Sequence, residues 1–166
     1  MKIKTFTLYF LIVSCLLAII LILISCGEGP IQTKPISKET IVEEFNNNFE
    51  RFQRVAEYIE SNDQDIFIEE DEKGGYISKK SQANEIVKFE IEDESIKNDI
   101  KYIFDELDYK YINENGVNGI YFTRQSSLHF AQGIAYSKNG EEPDWGTIEE
   151  LDPIEGKEYW YYYKGY

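Results

Sequence analysis

Apolar and polar residues alternate with three different rhythms along this chain. From Phe6 to Ile24 almost every residue is apolar, and no later stretch resembles that one. Further on, Ile41, Phe45, Phe49, Phe52, Ala56 and Ile59 recur at three- and four-residue steps, with Asn48 able to stand in for Phe49. Glu43, Glu44, Asn47, Glu50, Arg54 and Glu57 fall between them. This spacing places the apolar set on one side of a helix and predicts a single helix over 38–60. The run from Thr40 to Glu43 offers a capping box, and Ser37 an alternative cap. A second helix is expected over 95–107, where Ile96, Ile100, Ile103 and Leu107 share a face and Asp93 or Ser95 supplies the cap.

The third rhythm has a period of two. Residues 65–69 alternate weakly, the acidic run 69–72 with Lys73-Gly74-Gly75 reads as a turn, and a returning strand starts at Tyr76. Residues 86–91 set Val87, Phe89 and Ile91 against Ile86, Lys88 and Glu90, as a half-buried strand does. The C-terminal third reads as β throughout. A hairpin joins 109–112 to 119–124, a strand follows over 128–137, and Asn139-Gly140 is a turn. A weaker strand is read over 146–151. The last runs from 158 to 164, with Tyr159, Tyr161 and Tyr163 on one face and Trp160 and Tyr162 on the other. The expected fold is α+β: an antiparallel sheet with two amphipathic helices packed on one face, preceded by an N-terminal apolar leader helix.

Composition narrows the partners. The chain carries 31 acidic residues against 17 lysines and arginines, a net charge of −14. Such a charge repels nucleic acid and anionic headgroups, so no nucleic-acid partner is expected. An acidic surface also serves simply to keep a small domain soluble. The two cysteines, Cys15 and Cys26, lie in or beside the apolar stretch, so the rest of the chain has no disulfide framework, thiolate zinc site or cysteine nucleophile.

The N-terminus divides into a short positive segment holding Lys2 and Lys4, the apolar run, and Leu23-Ile24-Ser25-Cys26. This arrangement resembles the lipobox leader of bacterial lipoproteins. The resemblance implies cleavage by signal peptidase II before Cys26 and a lipid on its thiol. It also implies attachment to the extracytoplasmic face of the cell membrane or outer membrane. Ser25 is small enough to enter the peptidase, and Gly27-Glu28-Gly29-Pro30 cannot continue a helix. Two alternatives stay open. Ile12-Val13-Ser14-Cys15 also fits the motif, although cleavage there would leave an apolar tail. The run is also close to the ~20 residues that span a bilayer, as an uncleaved signal anchor would. All three readings put the domain outside, because Lys2 and Lys4 hold the N-terminus in the cytoplasm. The expected organisation is a signal peptide over 1–25, a flexible tether over 26–36, and one domain over 37–166. Separately, Gly133 to Ser137, Gly140 to Pro143, Leu151 to Ile154 and Trp160 to Tyr163 resemble a recurring ending of small uncharacterised proteins of low-GC bacteria, a resemblance that implies no activity.

Candidate chemistry is sparse. His129 is the only histidine, and alone it builds neither a metal site nor a triad. The acidic runs 62–65 and 69–72 lack the glycine-containing twelve-residue calcium loop, and no phosphate or dinucleotide fingerprint is present. No catalytic residue, metal ligand or cofactor is expected. The aromatic excess of the β region singles out Trp145, Tyr159, Trp160, Tyr161 and Tyr163 as a binding surface, since aromatics offer rigid area with a polar handle. The expectation is a lipid-anchored, non-enzymatic domain that engages a protein or envelope component. The alternatives are an envelope hydrolase with paired carboxylates, or an immunity or inhibitor lipoprotein.

Overall fold

The computed structural model describes residues 35–62, 66–70, 76–82, 85–115, 119–127, 130–144 and 147–166. Among them are three helices and eight strands. The order is α1 (Lys38–Asn47), α2 (Phe49–Glu60), β1 (Ile66–Glu70), β2 (Tyr76–Gln82), β3 (Glu85–Phe89), α3 (Glu94–Asp105), β4 (Tyr111–Asn115), β5 (Gly119–Ser127), β6 (Phe130–Ser137), β7 (Ile148–Pro153) and β8 (Trp160–Gly165). The strands form one antiparallel sheet in the order β3-β2-β1-β4-β5-β6-β8-β7. The α+β class expected from the pattern is therefore the class observed. The expected leader helix and cleavage motif lie outside the described residues.

The expected helix over 38–60 is two helices, so three pack on the sheet rather than two. Asn48 leaves the helical region at φ −124°, ψ 17°. Its N–H donates to the Phe45 carbonyl at 3.0 Å and its side-chain amide to the Glu44 carbonyl at 2.9 Å. It thereby closes α1, as asparagine does when its side chain competes for backbone carbonyls. The apolar stripe continues across the break. Ile41, Phe45, Phe52, Val55 and Ile59 are fully buried, and Phe49 is partly buried at the elbow. Ser37 is the cap of α1, accepting from the Thr40 N–H at 3.2 Å. In α3, Asp93 caps by accepting from Ser95 and Ile96 at 2.8 and 3.2 Å.

The two-residue period sorts the sheet into two buried faces. Ile112, Phe122, Ile134 and Trp160 meet the helices in the main core. Tyr121, Ala131, Ala135 and Tyr163 form a second cluster on the opposite face, with Ile148, Leu151 and Tyr161 against it. The chain enters this body at Ile36, the last residue of the expected tether. The Ile36 N–H donates to Gln125 Oε1 at 2.9 Å and its carbonyl accepts from Gln132 Nε2 at 3.0 Å. Gln132 Nε2 also donates to Gln125 Oε1, and the Tyr162 hydroxyl donates to Gln132 Oε1.

Burial of tyrosine has a measurable consequence. Desolvation pushes the Tyr162 hydroxyl up to about 12, and Tyr109, Tyr121 and Tyr163 are raised by the same cause. An unfolded tyrosine ionises near 10. Below pH 10 both states hold these protons, so stability is unaffected; above it the unfolded chain releases them first and stability falls. We expect no loss of fold up to about pH 10. Beyond that, tyrosinate absorbance near 295 nm should rise in a cooperative step together with loss of circular dichroism. Ionisation of these tyrosines with the dichroism intact would contradict their burial.

Candidate functional site

The break at Asn48 makes more than a bend. It opens a groove of about 500 Å³ lined by Asn46, Asn47, Asn48, Phe49, Glu50, Arg51 and Arg54 from the elbow, with Lys157 from the connection between β7 and β8. Beneath it α2 packs on α3. Asp99, on α3, is 2 % exposed. A lone carboxylate at that depth would be strongly unfavourable; pairing and hydrogen bonding offset the desolvation. Arg51 supplies one bond, Nη1 to Oδ1 at 2.6 Å. Arg54 supplies two, Nε to Oδ2 at 2.7 Å and Nη2 to Oδ1 at 3.0 Å. The bonds it donates to Asp99 raise the pKa of Arg54 above its already high ordinary value. Arg51 is also held over the Tyr102 ring, 4.1 Å from its centroid.

Both guanidiniums are thus fixed from below and partly open above. Each carries five N–H donors, more than Asp99 occupies. Lys157 completes the cationic rim, its Nζ 3.5 Å from the centre of the Phe49 ring. Among the described residues Lys157 has no carboxylate partner. The described residues of the groove lining contribute a single acid, Glu50.

The aromatic residues singled out from the sequence do not form one surface. Trp160 is 1 % exposed and lies in the main core between helices and sheet. Tyr163 is fully buried on the opposite face, and its hydroxyl pairs with that of Thr123. Tyr161 is half-buried beside it. Among those of the set that are described, Tyr159 alone is exposed, at 42 %, with φ +67°, and precedes β8. Residues 160–163 do alternate between the two faces, but β8 is an interior strand between β6 and β7, with Trp160 and Tyr162 buried on one face and Tyr163 on the other. Trp145, His129 and Cys26 with Leu23, Ile24 and Ser25 lie outside the described residues, as do residues 71 and 72 of the acidic turn. Among the described residues no group of three or more histidine, cysteine or acidic side chains could hold a metal ion. No described helix is long and apolar enough to cross a membrane.

No family model, curated protein or solved structure matches this chain. What the groove can do follows from its own side chains. Sequence reasoning missed it, although one signal was present. Asp99 stands three residues after Ile96 and four before Ile103, on the apolar side of α3. An acid in that position requires a cation from another element.

Proposed function

We propose that this protein is a lipid-anchored, non-enzymatic binding module on the outer face of a bacterial membrane, with the elbow groove as its binding site. The observation that carries the reading is the sequence Leu23-Ile24-Ser25-Cys26 at the end of an apolar run that follows Lys2 and Lys4. The leader would enter the membrane as a helix. Lipid on Cys26 would hold the mature chain there through at least two acyl groups, enough for stable attachment without a basic patch. This suits a domain of net negative charge. The partner is an envelope component or a protein, not nucleic acid. Binding is favoured over hydrolysis by the chemistry of the groove. Paired-carboxylate catalysis needs two acids at bond-cleaving separation, whereas the groove offers Glu50, and Asp99 beneath it is committed to two guanidiniums.

Intact-mass measurement of the membrane-extracted protein tests this directly. The expected species begins at Cys26 and is heavier than its sequence by a diacylglyceryl group or more. Cys26→Ala should lose that mass and retain the leader. Wild-type protein carrying the whole leader and no lipid would overturn the lipid attachment and favour an uncleaved signal anchor.

A further inference from the structure

We infer that the elbow groove binds an acidic saccharide: a ligand of roughly disaccharide size carrying one carboxylate. The inference deepens the binding role proposed above and rests on the groove being the binding site. Three observations converge on it. The first is charge. Arg51, Arg54 and Lys157 oppose Glu50 and the buried Asp99, leaving one net positive charge at the groove in a chain of net charge −14. A singly charged group is matched there. A polymer with a charge on every unit would meet the repulsion of the surrounding surface.

The second is preorganisation. Asp99 fixes both guanidiniums at 2.6–3.0 Å, and Tyr102 supports Arg51 from its face. Binding therefore does not have to order them, and their planar forks suit a carboxylate. The third is the rim. Asn46 and Asn47 are exposed there, and each amide offers both an acceptor and donors. Sugar hydroxyls also donate and accept. Among the described residues Phe49 is the only apolar one lining the groove, and its ring is capped by Lys157, which leaves no apolar hole there for a peptide side chain. At about 500 Å³ the groove falls within the usual size of small-molecule sites.

The test is a titration of the detergent-extracted full chain followed by amide NMR. The probes are glucuronyl-N-acetylglucosamine, neutral di-N-acetylchitobiose, and glycerophosphoglycerol as a phosphodiester of the same charge. Saturable shifts at residues 46–54 and 157 with the glucuronyl disaccharide, weaker for the other two, are expected. Arg51→Gln should weaken binding about tenfold, because a charged hydrogen bond is lost. Arg54 keeps two of the three bonds to Asp99, so the fold should hold. Lys157→Gln, at the rim, should weaken binding severalfold and serves if Arg51→Gln does not fold. Equal binding of chitobiose, preference for the phosphodiester, shifts elsewhere, or no saturation would each overturn the proposal. The lipid on Cys26 is read separately by mass, so either idea can fail while the other stands.

Discussion

Trp160→Ala should lower the unfolding free energy by about 4 kcal/mol, within the range for truncating a large aromatic in a core. Its ring centre lies 4.9 Å from those of Phe45 and Tyr136, 5.9 Å from Phe122 and 6.1 Å from Phe49. It therefore ties α1, the elbow and three strands together. Its Nε1–H donates to Gln53 Oε1 at 3.0 Å, so truncation also strands an acceptor on α2. Tyr159→Ala, one residue away, removes an exposed ring and should change stability by no more than about 0.5 kcal/mol. Urea unfolding followed by far-ultraviolet circular dichroism measures both. If the two variants lost similar amounts, the burial of Trp160 would be wrong, and the aromatic strand would regain its claim to be a binding surface.

Gly133→Ala should cost about 3 kcal/mol or more, at the upper end of what overpacking does. Gly133 sits in β6, paired with Thr123 on one side and Tyr163 on the other. A Cβ there would fall inside the envelope of the Phe122 carbonyl oxygen and 3.1 Å from the Arg124 nitrogen. Both are backbone atoms of β5, so the strands themselves would have to part. The pairing shifts register between Thr123 and Gln125, and Arg124 is the extra residue. Arg124 in turn bonds Glu44 of α1 at 3.1 Å and the Asp108 carboxylate at 2.9 Å. The methyl should therefore loosen α1 as well as the strand pair, visible as faster amide exchange in both. Gly156→Ala is the control. Gly156 has φ +71° and nothing within 4 Å of a built Cβ, so only backbone strain, about 1 kcal/mol, is expected.

The amino-acid pattern conveys some of these elements and conceals others. The face of α3 was legible because Ile96, Ile100 and Ile103 repeat at helical spacing and Asp93 stands where a cap must. The break at Asn48 was not, because the phenylalanine stripe keeps step across it while one local competition for the Glu44 carbonyl ends the helix. The alternation of β8 was legible, but its neighbours were not. A strand inserted out of sequence order is covered by residues distant in the chain, and no local period records that. The groove was hidden for the same reason: it needs α2 laid on α3 and a loop from beyond β7.

The hold on Ile36 can also be viewed as a mechanical fitting. Tension arriving along the chain ahead of Pro35 passes through the Ile36 N–H and carbonyl into Gln125 on β5 and Gln132 on β6. Both strands have a paired neighbour on each side, so the load spreads into the middle of the sheet. Lys38, at the start of α1, is pinned a second time by Asp152 of β7. The arrangement works like the strain relief on a cable. Helix α1 begins at this doubly held point, so drag on the N-terminus would meet these contacts before it reached the elbow at the far end.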